Sequence, residues 1–510
     1  MSGNLFALLK AHAGDLQKAF LLTGDGRTLS YGETFERAAQ TANALVDSGV
    51  KVGDRIAAQI DKSIEALILY FACLRAGAVY LPLNLAYTPG EIEYFLSDAE
   101  PVVFVCAPER FNTLSPIAKK AGVKTVLTLG ADGKGSLTER AAKGGRAFAD
   151  SVRDKDDLAA LLYTSGTTGR PKGAMLTHDN LASNALVLVD FWRFTSKDVL
   201  LHALPIFHTH GLFVATNTVM MAGGSMIVLP KFNLNEVFRH LPLATAMMGV
   251  PTFYTRLVDD PRLTREATRH MRLFVSGSAP LLAETHRAFE AKTGHKILER
   301  YGMTETNMIT SNPYDGARVA GAVGPPLPGV SVRIADAETG KILPRGEVGV
   351  IEVKGPNVFK GYWRMPEKTK AEFRADGYFI TGDVGKIDDE GYVHIVGRSK
   401  DLVISGGFNV YPREVEGEID ALPDVVESAV IGVPHPDFGE GVTAVVVAAK
   451  AAKIDEAAII KALEGRLAKF KLPKRVIFVA DLPRNAMGKV MKAELRKAYQ
   501  DLYRTGAPKS

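Results

Sequence analysis

The stretch YTSGTTGRPKG, residues 163–173, follows the apolar run LAALL (158–162) and gathers three Gly, three Thr, one Ser and two cations into eleven positions. Such a loop offers backbone N–H groups, hydroxyls and positive charge to a polyphosphate. It is not a Walker A loop: five positions after Gly166 stands Pro171, and five after Gly169 stands Ala174, so no GK[ST] lies at the required spacing. Taken by itself the stretch also reads as a flexible turn.

Upstream of the loop, helical patterns alternate with β-branched runs: RAAQTANALVDSGV (37–50), RIAAQI (55–60), SIEALILYFACLRAG (63–77), AVYLPL (78–83) and PVVFVCA (101–107). This alternation predicts parallel βαβ units. Thr88-Pro89-Gly90-Glu91 carries the cap, the N1 proline and the N3 glutamate of a helix start. The pattern recurs at TVLTL (125–129), MIVLP (226–230), TAMMGV (245–250) and RLFVSG (272–277), while residues 130–156 read as a Gly- and charge-rich surface excursion.

After about Val319 the character changes to Gly- and Pro-punctuated strands, VSVRIAD (330–336), GVIEVKG (349–355), GYFITGD (377–383) and GYVHIVG (391–397), an antiparallel section. From Leu402 onward ESAVIGV, GVTAVVVAAK, a helix AAIIKALEGRLAKF (457–470) and RVIFV suggest a small α+β domain. The expected fold class is therefore α/β, with a large domain over 1–399, a small C-terminal domain over 400–510 and the boundary at Lys400.

Composition sets outer limits. With 510 residues, 46% hydrophobic and 23% charged, and with 48 Gly and 26 Pro dispersed, the chain is too long for one core and is not disordered, collagenous or coiled coil. The net charge of 62 − 57 = +5 is too dilute to make nucleic acid a partner. Cys73 and Cys106 sit in apolar runs and are expected as buried free thiols of a reducing compartment. The N-terminus lacks a signal pattern, the C-terminus GAPKS is not a peroxisomal address, and the longest uncharged apolar run, 66–74, cannot span a bilayer. The expectation is a cytoplasmic protein with no membrane partner.

Six further motifs follow the loop in order: ALPIFHTHGL (203–212), VSGSAPL (275–281), ERYGMTET (299–306), ITGD (380–383), GRSKDLVISGGFNVYP (397–412) and LPRNAMGK (482–489); RAGAVYLPLN (75–84) precedes it. Together they resemble the signatures of the adenylate-forming superfamily, which includes acyl-CoA synthetases, luciferases and peptide-synthetase adenylation domains. Within that superfamily the chain is most similar to malonyl-CoA synthetases.

The resemblance implies a carboxylate that attacks the α-phosphorus of ATP and expels pyrophosphate, then yields its acyl group to the thiol of CoA, with Mg²⁺ as cofactor. Charge builds on phosphoryl oxygens, so donors and cations must be in place beforehand. By the same likeness Thr164, Ser165, Gly166, Thr167, Thr168, Gly169 and Lys172 would hold the β- and γ-phosphates. Thr304 would meet the α-phosphate and Glu305 the Mg²⁺. Tyr301 and the backbone of Gly277, Ser278 and Ala279 would sandwich adenine; Asp383 would accept from the ribose hydroxyls, with Arg398 beside it. Lys489 would bridge the carboxylate and the α-phosphate, and a lysine acetyltransferase acting on it is an implied partner, since acetylation removes the charge. Lys400 would be the hinge of a mobile small domain, and Gly406 and Gly407 would line the CoA tunnel.

Arg300 stands where many relatives carry a small residue. Burying a guanidinium is costly unless a carboxylate meets it, so Arg300, with His208, Ser278 and Arg170, points to a dicarboxylate such as malonate, with methylmalonate as a second candidate; His210 reads as structural. The alternatives are a short-chain, aryl- or fatty-acyl-CoA synthetase, an amino-acid adenylation domain, and an ATP-binding sensor without turnover. The second would carry an acidic residue shortly after FHTHG, where HGLFVATNTVMM offers none, and a carrier-domain site, which is not seen; the third does not need Glu305, Lys400 and Lys489 together.

Overall fold

Every residue of the helix Ile64–Arg75 is buried, from Ile64 through Leu74 to Arg75. Ser63 starts it by accepting a hydrogen bond from the Ala66 N–H. A helix apolar on all sides needs cover on all sides, and the helices Leu5–His12 and Tyr31–Asp47 pack on it. The computed structural model describes residues 3–164, 171–406, 408–449, 452–464, 466–485 and 488–503, without the side chain of Asn409.

Two large sheets flank this centre. The first has seven strands in the order Gly361–Tyr362, Lys172–Thr177, Leu158–Thr164, Val79–Pro82, Arg55–Gln59, Val103–Cys106 and Thr125–Thr128. Its last five strands run parallel, as the alternating pattern predicts, whereas Lys172–Thr177 returns antiparallel to Leu158–Thr164. The second sheet has eight strands in the order Asn307–Ser311, Leu298–Met303, Leu273–Ser276, Ala246–Gly249, Val199–His202, Ser225–Val228, Ala19–Thr23 and Thr28–Ser30. Its six inner strands are parallel and each end pair is antiparallel. The carboxyl ends of its central strands carry His202 and, just past Ser276, the Gly277 turn, the usual place for a site in an open parallel sheet.

A four-stranded antiparallel sheet follows, Ser331–Ala335, Gly349–Lys354, Phe379–Ile387 and Val393–Arg398 in that order. The small domain is a five-stranded sheet around Gly439–Ala448 with the helices Pro412–Asp420, Glu456–Leu463 and Lys492–Ala498. Thr88 and Glu91 form the expected capping box with Pro89 in the first turn.

Two local expectations need correction. The excursion at 130–156 contains a helix, Ser136–Ala141, anchored by buried Leu137 and Ala141. The helix expected over 457–470 stops at Leu463: Glu464 turns to ψ 134°, and Phe470 lies in a separate turn, Lys469–Lys471, with its ring stacked 4.7 Å from that of Phe408. Tertiary packing of Phe470 outweighs the helical period of the run.

Cys73 and Cys106 are free and buried. Among the described residues no helix is long and apolar enough to cross a membrane. Leu69, fully buried in the central helix, gives a measure of how much this layer contributes. Leu69→Ala should lower stability by about 2–5 kcal/mol, read as a shift of the first denaturant transition, and an unshifted midpoint would place the main core elsewhere.

Candidate active site

Asp383 and Arg398 are direct cross-strand partners in the antiparallel sheet. Arg398 Nε lies 3.0 Å from Asp383 Oδ1, and Tyr301 donates its hydroxyl to Oδ2 at 2.5 Å. The Asp383 N–H is itself tied to Thr381 Oγ1 at 3.0 Å. Burial, the Asp383 carboxylate and its hydrogen bond hold the Tyr301 phenol well above its ordinary value, so it stays a donor.

Lys489 reaches this corner from the small domain. Burial, then the charge of Arg398, pushes its amine down to about 8, with Asp383 acting the other way. Its loop is closed by backbone bonds between Asn485 and Lys489 and by the Asn485 side chain on the Lys489 N–H. Gly488, at φ +74°, seats the loop on the large domain: a Cβ there would lie 3.2 Å from Thr252 Oγ1.

The strands Leu158–Thr164 and Lys172–Thr177 pair antiparallel, with Thr164 opposite Lys172. Ser165, Gly166, Thr167, Thr168, Gly169 and Arg170 lie outside the described residues, as does Gly407. Lys172 Nζ sits 3.2 Å from Glu372 Oε1 and 4.2 Å from the centre of the Tyr362 ring. Tyr362 shares its hydroxyl between Glu305, at 3.1 Å, and Glu372, at 2.7 Å. Glu305 is buried, which raises its carboxyl pKa, with Lys172 pulling the other way. Thr304 stands half-buried in the adjoining turn. Glu372 and Tyr362 belong to no motif quoted above; the segment GYWRMPEKTKAE (361–372) that carries them gave no chemical signal in the sequence.

Arg300 lies on the strand Leu298–Met303 and is 3% exposed. Its Nε and Nη2 have no hydrogen-bond partner among the described residues, nor do His208 Nδ1, His210 Nε2 and Ser276 Oγ. Burial lowers its pKa to about 9, so the guanidinium keeps its charge at neutral pH. The same burial, followed by the Arg300 charge, pushes His208 down to about 4 and His210 below its ordinary value, and both imidazoles are neutral. His210 Nδ1 is 3.2 Å from Ser278 Oγ, so the histidine read as structural lines the pocket. Ser278 is held at φ +71°, a strained backbone for a serine. Gly277 is what lets Arg300 fit: a Cβ there would stand 2.4 Å from the Arg300 Cζ. Ala279 follows, half-buried, in the same turn.

Lys400 is exposed in the short turn Ser399–Asp401. Arg398 before it belongs to the large-domain sheet, whereas Asp401 after it pairs at 2.6 Å with Arg496 of the last small-domain helix. Gly406, exposed at φ +60°, donates its N–H to Phe438 O.

Residues 9–363 match the AMP-binding enzyme family, and residues 414–489 match the AMP-binding enzyme C-terminal domain. The chain belongs to this family of AMP-binding enzymes. ATP-bound MatB from Rhodopseudomonas palustris is 66% identical and superposes with a TM-score of 0.97 over 99% of this chain and 100% of its own. Apo MatB from the same organism, at the same identity and coverage, superposes at 0.86. The malonate–CoA ligase of Arabidopsis thaliana is 35% identical over 550 residues, 98% of this chain and 90% of its own. A feruloyl-CoA synthase from an Amycolatopsis species is 37% identical over 482 residues, 93% and 94% of the two chains.

The seat at Gly277 is directly testable. A crystal structure of Gly277→Ala should show the Arg300 guanidinium displaced by more than a bond length, because the new methyl overlaps it. An unmoved guanidinium would mean that the turn yields instead.

Proposed function

We propose that this enzyme is an AMP-forming malonate–CoA ligase. It activates malonate with ATP to malonyl-AMP, releasing pyrophosphate, and transfers the malonyl group to CoA, releasing AMP. One observation carries the choice of acid: a buried guanidinium, Arg300, among neutral groups, with two nitrogens unpaired among the described residues. A second carboxylate supplies the missing counter-charge, and a bidentate pair leaves monocarboxylates at a disadvantage. The name of the Arabidopsis ligase supports the same acid. The feruloyl-CoA synthase likeness favours an aryl-CoA synthetase as the second reading, and an unpaired cation in the acid pocket argues against it. Methylmalonate fits the same charge pattern.

The proposed roles follow the geometry. One carboxylate of malonate meets Arg300, with His208 and Ser278 beside it; Arg170, assigned to the same carboxylate from the sequence, lies outside the described residues. The oxygen of the other attacks the α-phosphorus, and the P–O bond to pyrophosphate breaks. Lys489, close enough to Asp383 and Arg398 to feel both charges, places its ammonium between the reacting groups. Asp383 holds the ribose, and Tyr301 with the 277–279 turn holds adenine. The 164–172 loop and Thr304 hold the phosphates. Glu305, a buried carboxylate facing Lys172, suits a Mg²⁺ that takes one carboxylate and phosphate oxygens, and the ion supplies charge neutralisation on the polyphosphate.

We place the hinge and domain boundary at Lys400, where the chain passes from the sheet of Arg398 to the helix of Arg496. Rotation there would carry Lys489 out and bring Gly406 and Gly407 to the CoA path. The buried free thiols support a reducing, cytoplasmic setting, and acetylation of Lys489 would silence the first half-reaction.

Three measurements test this reading. Malonate should exceed butyrate in kcat/KM by about 10- to 150-fold, the value of a charge-assisted hydrogen bond of roughly 1.5–3 kcal/mol, and Arg300→Ala should remove that margin while ATP binding persists; equal use of the two acids in the unaltered enzyme would defeat the dicarboxylate assignment. Lys489→Ala should abolish ATP–pyrophosphate exchange and spare thioester formation from supplied malonyl-AMP; parallel loss of both would sink the role. Because the Lys489 amine is lowered to about 8, its charge is present below that pH and lost above it. Pyrophosphate exchange should therefore decline as pH rises through about 8, and an exchange rate flat to pH 10 would contradict it.

A further inference from the structure

Lys62 is a buried lysine that none of the roles above uses. It stands in the turn between the strand Arg55–Gln59 and the helix Ile64–Arg75, 7% exposed, and reaches from the seven-stranded sheet to the eight-stranded one. Its Nζ lies 2.9 Å from His202 Nδ1, 2.7 Å from His202 O and 2.9 Å from Leu204 O. His202, 1% exposed, places Nε2 2.8 Å from Gly211 O, which also accepts from Thr216 Oγ1 at 3.1 Å.

The hydrogen-bond arithmetic leaves little freedom. A carbonyl only accepts, so His202 Nε2 must carry a proton. Burial, then the neighbouring amine, holds His202 well below its ordinary pKa, so the ring is neutral and Nδ1, left without a proton, accepts from Lys62, whose own amine burial also holds well below its ordinary value. No carboxylate is among these partners. An amine taken out of water to this position is costly, and its partners show what it holds.

Those partners are the two ends of the segment that forms the acid pocket. Lys62 clamps Leu204 O at its start, and His202 clamps Gly211 O at its end. Between them the chain folds back so tightly that a Cβ on Gly211 would lie 2.1 Å from Pro205 O. His208 and His210, which face Arg300, lie inside the clamped stretch.

We propose that Lys62 is a positioning residue for the acid site: acting through His202, it holds residues 203–211 so that His208 and His210 present neutral nitrogens beside Arg300. The inference rests on the acid-pocket reading above but not on which acid enters.

Lys62→Met keeps the stem and removes the donating amine. Read with whichever acid the unaltered enzyme turns over best, it should raise the KM for that acid by at least about 10-fold, change kcat less, and leave ATP affinity within about twofold. An unchanged acid KM, or ATP affinity falling in step with it, overturns the proposal. A second readout needs no variant: ¹⁵N spectra of the histidine rings in the intact enzyme, with His202 assigned by its loss in His202→Gln, should show it protonated at Nε2 with Nδ1 as acceptor. A ring protonated only at Nδ1 overturns the relay. Loss of malonate preference in the unaltered enzyme would refute the proposed substrate and leave both readouts standing.

Discussion

A guanidinium without a carboxylate, deep between a parallel sheet and its loops, is the constraint around which this site is arranged. Desolvating Arg300 costs free energy that no anion among the described residues returns, so the surroundings must at least not add to it. Both histidines beside it are neutral. Gly277 gives up its side chain to make room, and Ser278 takes a backbone conformation that serine ordinarily avoids. Each of these has a local penalty in stability, and together they mark a surface shaped for a charged guest rather than for packing.

The nucleotide corner is built differently. Asp383 is paired and hydrogen-bonded from two directions before any ligand arrives, by Arg398 on the next strand and by Tyr301 on another sheet. It is rigid because its partners are rigid. Lys489, by contrast, arrives on a loop of the small domain that meets the large one at Thr252. On the proposed reading, recognition groups held on fixed sheets and a cation carried by a hinged domain would suit two successive reactions at one acyl group.

Much of this was legible in the sequence because it is local. The alternation of apolar runs gave the parallel strands, Thr88 and Glu91 gave a cap within one turn, and Asp383, Arg398 and Lys489 sit in motifs whose residue types fit their surroundings. Lys62, His210, Glu372 and Tyr362 were not legible, because their meaning lies in partners far along the chain. Lys62 and His202 are 140 positions apart, and Lys172 and Glu372 are 200. No period or spacing carries that information, and a lone lysine in a turn reads as a solvated one. The end of the helix at Leu463 was missed for the related reason that Phe470 is drawn to Phe408.

The pairing of Lys172 with Glu372 has a consequence for selectivity among anions. The lysine assigned to the polyphosphate is already matched by a tethered carboxylate, whose effective concentration far exceeds that of a free metabolite. A lone orthophosphate or chloride competes poorly against such an internal rival. A triphosphate bound as proposed, meeting the Thr304 hydroxyl and the lysine together, would displace it. On that reading the ion pair would act as a threshold on valency, keeping the cleft clear of the small anions that crowd a cell while leaving it open to the nucleotide.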